Sequence, residues 1–156
     1  MTWRGSTTVP DRIFASLPYL LPLIDALWFG RFLFTQFPVL QLLLIPLAPL
    51  KQIYSLPLAS LIIFFALYLG VVRNENISHF IRFNAMQAIL LDIVLMLCRL
   101  VLQIFEGPQV AFIAETLYNM VFLGAFAAFV YAVVQSLLGR YAEIPPLSDA
   151  VYMQVR

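Results

Sequence analysis

The sequence predicts an all-α polytopic membrane protein with four transmembrane helices plus a proline-broken interfacial or re-entrant segment. Three observations carry this. First, 63% of the 156 residues are hydrophobic and 11% are charged, with a mean hydropathy of +0.94. Soluble domains run at about 45–50% apolar and about 25% charged, so this composition cannot cover a soluble domain with polar groups. Second, three stretches are long and apolar enough to cross the hydrocarbon layer, which is about 30 Å thick and takes about 20 residues of helix. Third, prolines break the apolar pattern of the first fifty residues. A soluble enzyme, a disordered chain and a secreted disulfide scaffold are excluded, and the net charge of +1 gives no sign of a nucleic-acid binder. Cys98 is the single cysteine, so it forms no internal disulfide and has no partner for a metal site. One integral-membrane domain is expected over 1–156, with the lipid bilayer as its first partner.

The first span is expected at 13–29. It is long enough to cross but holds Pro18, Pro22 and Asp25. An interior proline removes a hydrogen bond and bends the axis, and in lipid the freed carbonyls need neighbours, so this span reads as kinked. Residues 32–50 carry no charge, yet contain Pro38, Pro46 and Pro49. A straight crossing does not fit those breaks; a short interfacial or re-entrant segment does, with a fifth crossing as the alternative. The second span is expected at 57–73, where 58–72 reads LASLIIFFALYLGVV and Pro57 sits where a helix can start. The third, 80–105, is apolar but carries Arg82, Asp92 and Arg99. The fourth, 115–139, is the clearest, with no charged residue between Glu115 and Arg140.

No removable secretory signal is expected, because the first apolar segment is interrupted and no small-x-small site follows it. No Arg- and Ser-rich transit region precedes it either. Four crossings put both termini on one side, together with Arg4, Arg12, Arg73, Arg82, Arg140 and Arg156, against Arg31 and Lys51 on the other. Six cations against two predict that both termini are cytoplasmic or in the equivalent plastid compartment. Asn76-Ile77-Ser78 matches a glycosylation sequon but falls on that same side, so it reads as chance.

An ionisable residue at membrane depth costs about 2.5–3.5 kcal/mol on insertion scales and is a functional candidate for that reason. Asp92 is the leading case, flanked by apolar residues near the middle of the third span. Arg99 is two turns away, about 10 Å, so Asp92 pairs with another span or faces water. It is either a polar lining or proton-linked group, or a residue that fixes helix contacts. Asp25 can reach the interface and reads as structural; Arg99 can snorkel. Arg82, Asn84 and Gln87 cluster beside His79, and Asn84 and Gln87 share a helix face that suits an interhelical hydrogen bond. His79 reads as an interfacial histidine. In the fourth span Gly124, Ala128 and Ala132 recur every four residues, which suits a close helix–helix approach, internal or between copies. Trp28, Tyr54, Tyr68 and Tyr141 sit where interfacial anchors do. No nucleophile–base pattern, phosphate loop or metal-ligand spacing is visible, and no catalysis or cofactor is expected.

Three motifs then carry a resemblance. They are Leu17-Pro18-Tyr19-Leu20-Leu21-Pro22-Leu23-Ile24-Asp25 followed by Gly30-Arg31; Ala66-Leu67-Tyr68-Leu69-Gly70-Val71-Val72-Arg73-Asn74; and, most specific, Arg82-Phe83-Asn84-Ala85-Met86-Gln87-Ala88-Ile89-Leu90-Leu91-Asp92-Ile93. Together they resemble the twenty-kilodalton subunit family of the translocon at the inner envelope of chloroplasts, over roughly 12–140. The resemblance implies a four-span helical protein with both termini stromal or cytoplasmic. It also implies a part in moving preproteins across the inner envelope, as a channel or channel-associated subunit. With no transit region, the chain resembles the cyanobacterial or plastid-encoded relatives, in the cyanobacterial inner membrane or the plastid inner envelope. On this reading Gln87, Asp92, Arg99 and Gln103 are the candidate polar lining, and the candidate partners are other translocon subunits, preproteins and a second copy of the chain. A small-solute, ion or proton-linked transporter and a purely structural assembly subunit are the alternatives.

Overall fold

A computed structural model describes residues 7–145 and 147–155. Every regular element among them is helical. Three helices are long and apolar enough to cross a membrane: α1 (Val9–Gln36), α4 (His79–Phe105) and α5 (Pro108–Leu137). Between them, α2 (Ala48–Tyr54) and α3 (Ala59–Val72) form a pair bent by 98°, which makes four spans if the pair counts as one. A short C-terminal helix, α6 (Leu147–Gln154), follows. The chain is a polytopic helical membrane protein.

α1 starts where local chemistry says it should. The Thr8 hydroxyl accepts from the Asp11 backbone N–H at 3.3 Å, and the Asp11 carboxylate accepts from Thr8 N–H at 3.2 Å, a reciprocal cap that satisfies two end donors. Pro18 then sits in a 3-10 turn, Leu17–Tyr19, and a second tight turn spans Trp28–Gly30, so the helix bends without ending. It runs on to Gln36, taking up the first residues of the segment expected at the interface. α1 lies inside the bundle: Ala15, Tyr19, Leu23, Ala26 and Phe29 are buried. Gly30 allows its closest approach to α5, because a Cβ there would stand 2.8 Å from the rings of Phe122 and Phe34.

The segment after α1 is a run of short turns. Pro38–Leu44 is a 3-10 helix with no buried residue. Prolines without a donor N–H keep this stretch from extending into a long α-helix. The break between α2 and α3 falls at Leu56-Pro57-Leu58. A residue before proline avoids the helical region, and Leu58 takes a left-handed φ of 63°. α3 itself is nine α-helical residues and a five-residue π turn, Tyr68–Val72, which by helical rise covers about 21 Å, less than the hydrocarbon thickness.

This short α3 divides the bundle. The first half of α4, from Phe80 through Ile89, is buried except at the part-buried Ile81, packed by α1, α3, α5 and α6. In its second half only Leu95 and Leu102 are buried. α6, which no sequence pattern announces, packs Val151, with Val155 just past its end, against Val72, Phe83 and Met86. At the same end Gly139 closes α5 with φ 78°. Arg140 N–H reaches Gln135 C=O at 2.8 Å and Gly139 N–H reaches Ser136 C=O at 3.0 Å, a left-handed helix stop. Gly139 lies against Thr7 and Arg12, so the start of α1 and the end of α5 meet at one end of the bundle. Arg4 and Arg156, two of the cations used to orient the chain, lie outside the described residues.

Candidate functional site

Two polar clusters occupy different depths. The first lies in the well-packed half. Tyr19 on α1 donates from Oη to Asn84 Oδ1 at 2.6 Å, and accepts from Gln87 Nε2 at 2.8 Å. Ser136 on α5 donates to the same Asn84 oxygen at 3.1 Å. Gln87 Nε2 also donates to the Ala142 carbonyl, and Gln87 Oε1 accepts from Ile144 N–H at 3.3 Å. Tyr19, Asn84, Gln87 and Ser136 are all fully buried. The network joins α1, α4, α5 and the segment leading to α6, and each side chain in it has its partners. Asn84 and Gln87 reach it together because three residues apart on α4 puts them on one face. Arg82, one turn earlier, is 6% exposed and donates from Nε to the Val72 carbonyl at 2.9 Å, tying α4 to the end of α3. His79 Nδ1 is 2.9 Å from Tyr141 Oη.

The second cluster lies where the packed half gives way to the open half. Tyr54, the last residue of α2, brings its hydroxyl to 3.2 Å from Asp92 Oδ2 and 3.3 Å from Asp25 Oδ2. The hydroxyl has one hydrogen to give, so it serves one carboxyl at a time. Asp92 Oδ1 is buried and has no hydrogen-bond partner among the described residues. Asp25, Tyr54, Asp92 and Arg99 line a cavity of about 570 Å³, together with Ser60 and Phe64 at the start of α3. The space lies at the bend at Leu56-Pro57-Leu58, between Tyr54 at the end of α2 and Ser60 at the start of α3. Such irregular backbone at membrane depth is tolerated where it lines a cavity.

Of the sequence candidates, the fold brings Asp25, Asp92 and Arg99 to one cavity and places Arg82, Asn84 and Gln87 in the packed half. Gln103 is exposed in the final turn of α4 and belongs to neither cluster. Ala132 is buried against Tyr19 and Ala88, whereas Gly124 and Ala128 line an open apolar groove between α4 and α5. The sequence reading took Asp25 for an interface-reaching structural residue and Tyr54 for an interfacial anchor; in the fold both meet Asp92. The two aspartates are far apart in the chain, and no spacing rule joins them. The polar partners Tyr19, Ser136 and Tyr54 were not singled out as site residues. A lone hydroxyl in apolar sequence was the available signal, shared with many others that have no role.

The comparisons agree on a family. The family described as "Chloroplast import apparatus Tic20-like" matches residues 7–151. The "Tic20 family protein" of Synechocystis sp. is 56% identical over 94% of this chain and 93% of its own length. "Protein TIC 20-II, chloroplastic" of Arabidopsis thaliana is 42% identical, covering 99% of this chain and 78% of itself. The "Tic20 family protein Ycf60" of Porphyra purpurea is 33% identical over 99% of this chain and 80% of itself.

Proposed function

The chain belongs to the Tic20-like family, and from that premise we propose that it is a membrane-embedded subunit of a protein-translocation complex and has no catalytic role. The observation that carries this is the match along nearly the whole chain to a family described as chloroplast import apparatus, with both cyanobacterial and chloroplast relatives. Its setting is then a cyanobacterial inner membrane or a plastid inner envelope, with both termini on the cytoplasmic or stromal side. Three long helices and one bent pair leave no room within one copy for a peptide-sized pore. A conduit therefore needs further copies or other subunits, and in it this chain contributes the polar wall of Asp25, Tyr54, Asp92 and Arg99. That wall supports the reading because a passing polypeptide carries polar backbone that lipid-facing residues cannot satisfy.

The test is site-specific photocrosslinking with a preprotein arrested in transit, with the probe at position 54 or 96 beside the cavity and at Leu123, 57% exposed in the middle of α5, as the lipid-facing control. Adducts at the cavity positions and none at Leu123 are expected. Equal labelling at all three, or none at the cavity, refutes the lining role.

A second reading rests on the Asp25–Tyr54–Asp92 meeting at a helix break, an arrangement that proton-linked carriers use. It expects proton-coupled flux in liposomes of the purified chain, lost in Asp92→Asn. Liposomes without flux refute it.

A further inference from the structure

At the end of the bundle away from the buried network, two arginines share one indole. The Arg99 guanidinium carbon stands 4.4 Å from the centre of the Trp28 ring, and that of Arg31 stands 5.5 Å from it. Arg31 also lies 4.6 Å over Tyr118 and 5.1 Å over Phe32. Both arginines are exposed. Among the described residues neither has a carboxylate partner or a hydrogen-bond acceptor, and their only contacts of that kind are the aromatic faces. Glu115, at the same end, is engaged by Gln36 Nε2 at 3.1 Å.

Depth turns this into a requirement. α4 has 27 residues and is about 40 Å long, so about 5 Å of each end stands outside a hydrocarbon layer of about 30 Å. Arg99 lies about 9 Å from the Phe105 end and so sits just inside the boundary, within snorkelling reach of the headgroup layer. Each guanidinium has five N–H donors, and in that layer their acceptors are water and headgroup oxygens. Arginine matches a phosphate in geometry as well as charge. One turn deeper, a groove of about 250 Å³ begins between α4 and α5, lined by Leu95, Cys98, Met120, Val121 and Gly124. Its lining is apolar, Met120 and Val94 are exposed along it, and a Cβ at Gly124 would meet nothing within 4 Å.

We propose that Arg31 and Arg99, held on Trp28, bind the phosphate of an anionic lipid whose acyl chain lies in the groove at Gly124. Arg31 lies over Tyr118, one turn before Val121 of the groove, and Arg99 is one turn past its Leu95, so two cations stand next to an apolar channel as a single lipid molecule needs. Arg99 also lines the polar cavity, so the readout here is the lipid and not the transported substrate.

Tryptophan quenching tests it. Trp3→Phe leaves Trp28 as the sole tryptophan. The chain is placed in nanodiscs of phosphatidylcholine containing one-fifth phosphatidylglycerol, with bromine on the acyl chains of one lipid or the other. Brominated phosphatidylglycerol should quench Trp28 at least twofold more, per mole fraction, than brominated phosphatidylcholine. Arg31→Gln with Arg99→Gln should abolish that preference, and Arg31→Lys with Arg99→Lys should keep most of it; far-UV dichroism confirms that each variant is folded. Gly124→Leu, which fills the groove and leaves the arginines alone, should halve the preference or more. Equal quenching by the two lipids in the parent overturns the proposal, as does a preference that survives the double glutamine variant or is undiminished in Gly124→Leu. Loss of the preference on adding millimolar inorganic phosphate overturns the lipid in favour of a free oxyanion.

Discussion

Replacing Gln87 by leucine tests whether the buried network is what joins the spans. The side chain makes three bonds: to the Tyr19 hydroxyl at 2.8 Å, to the Ala142 carbonyl, and from Ile144 N–H at 3.3 Å. Leucine is close in volume but leaves the Ala142 carbonyl, in a residue of zero exposure, and the Ile144 N–H without partners. At about 1 kcal/mol for the Tyr19 bond and about 1–3 kcal/mol for each of the two orphaned groups, the loss comes to about 3–7 kcal/mol. Tyr19→Phe is the contrasting variant. It removes two bonds, but Asn84 Oδ1 still accepts from Ser136 and Gln87 Nε2 still donates to Ala142, so nothing is stranded. Its cost is about 1–2 kcal/mol, in line with interhelical hydrogen bonds in membranes, which average about 0.6 and reach about 1.7 kcal/mol. The double variant should cost about 1 kcal/mol less than the sum, because the Tyr19–Gln87 bond can be lost only once. Reversible unfolding in mixed micelles, followed by far-UV dichroism as denaturing detergent is titrated in, gives all three values. A Gln87→Leu cost below that of Tyr19→Phe, or strict additivity, would refute the account of a coupled network.

Other variants probe other contacts. Gly30→Ala puts a methyl group 2.8 Å from two phenylalanine rings and should cost about 1–3 kcal/mol by overpacking, read in the same titration. Gly139→Ala meets a positive φ as well as Thr7 and Arg12, so it should lower the midpoint by at least the 1–2 kcal/mol of a left-handed residue. Val151→Asp buries a charge against Phe83 and Val72 and should undock α6, seen as proteolysis within 147–155 while the rest of the chain stays intact. Tyr54→Phe removes the hydroxyl between Asp25 and Asp92 and should lower preprotein transport severalfold while the unfolding midpoint moves by less than about 1 kcal/mol; transport at the parent rate refutes a role for that hydroxyl.

The elements were legible in the sequence to different degrees, for physical reasons. α5 reads directly, because 116–139 has no charge and no proline to interrupt it. α4 reads nearly as well, its Ser78 cap included once the fold is seen. The pairing of Asn84 with Gln87 on one face follows from helical spacing, but which helices they touch does not. α2 and α6 are short, and short helices gain their stability from packing rather than from their own periodicity. α6 is held by Val151, Val155 and the aromatic contacts of Tyr152 with His79 and Phe83, none of which a local pattern announces.

The sequence by itself determined that the chain lives in a bilayer, roughly where it crosses, and which family it resembles, because hydrophobic length and composition are local properties. The tertiary structure alone decided that Asp25 and Asp92 meet at Tyr54, that Tyr19 and Ser136 close the network around Asn84 and Gln87, and that Arg31 and Arg99 share Trp28. Each of these joins side chains from different helices, and a bent α2–α3 pair too short to fill its place is what leaves the cavity between them.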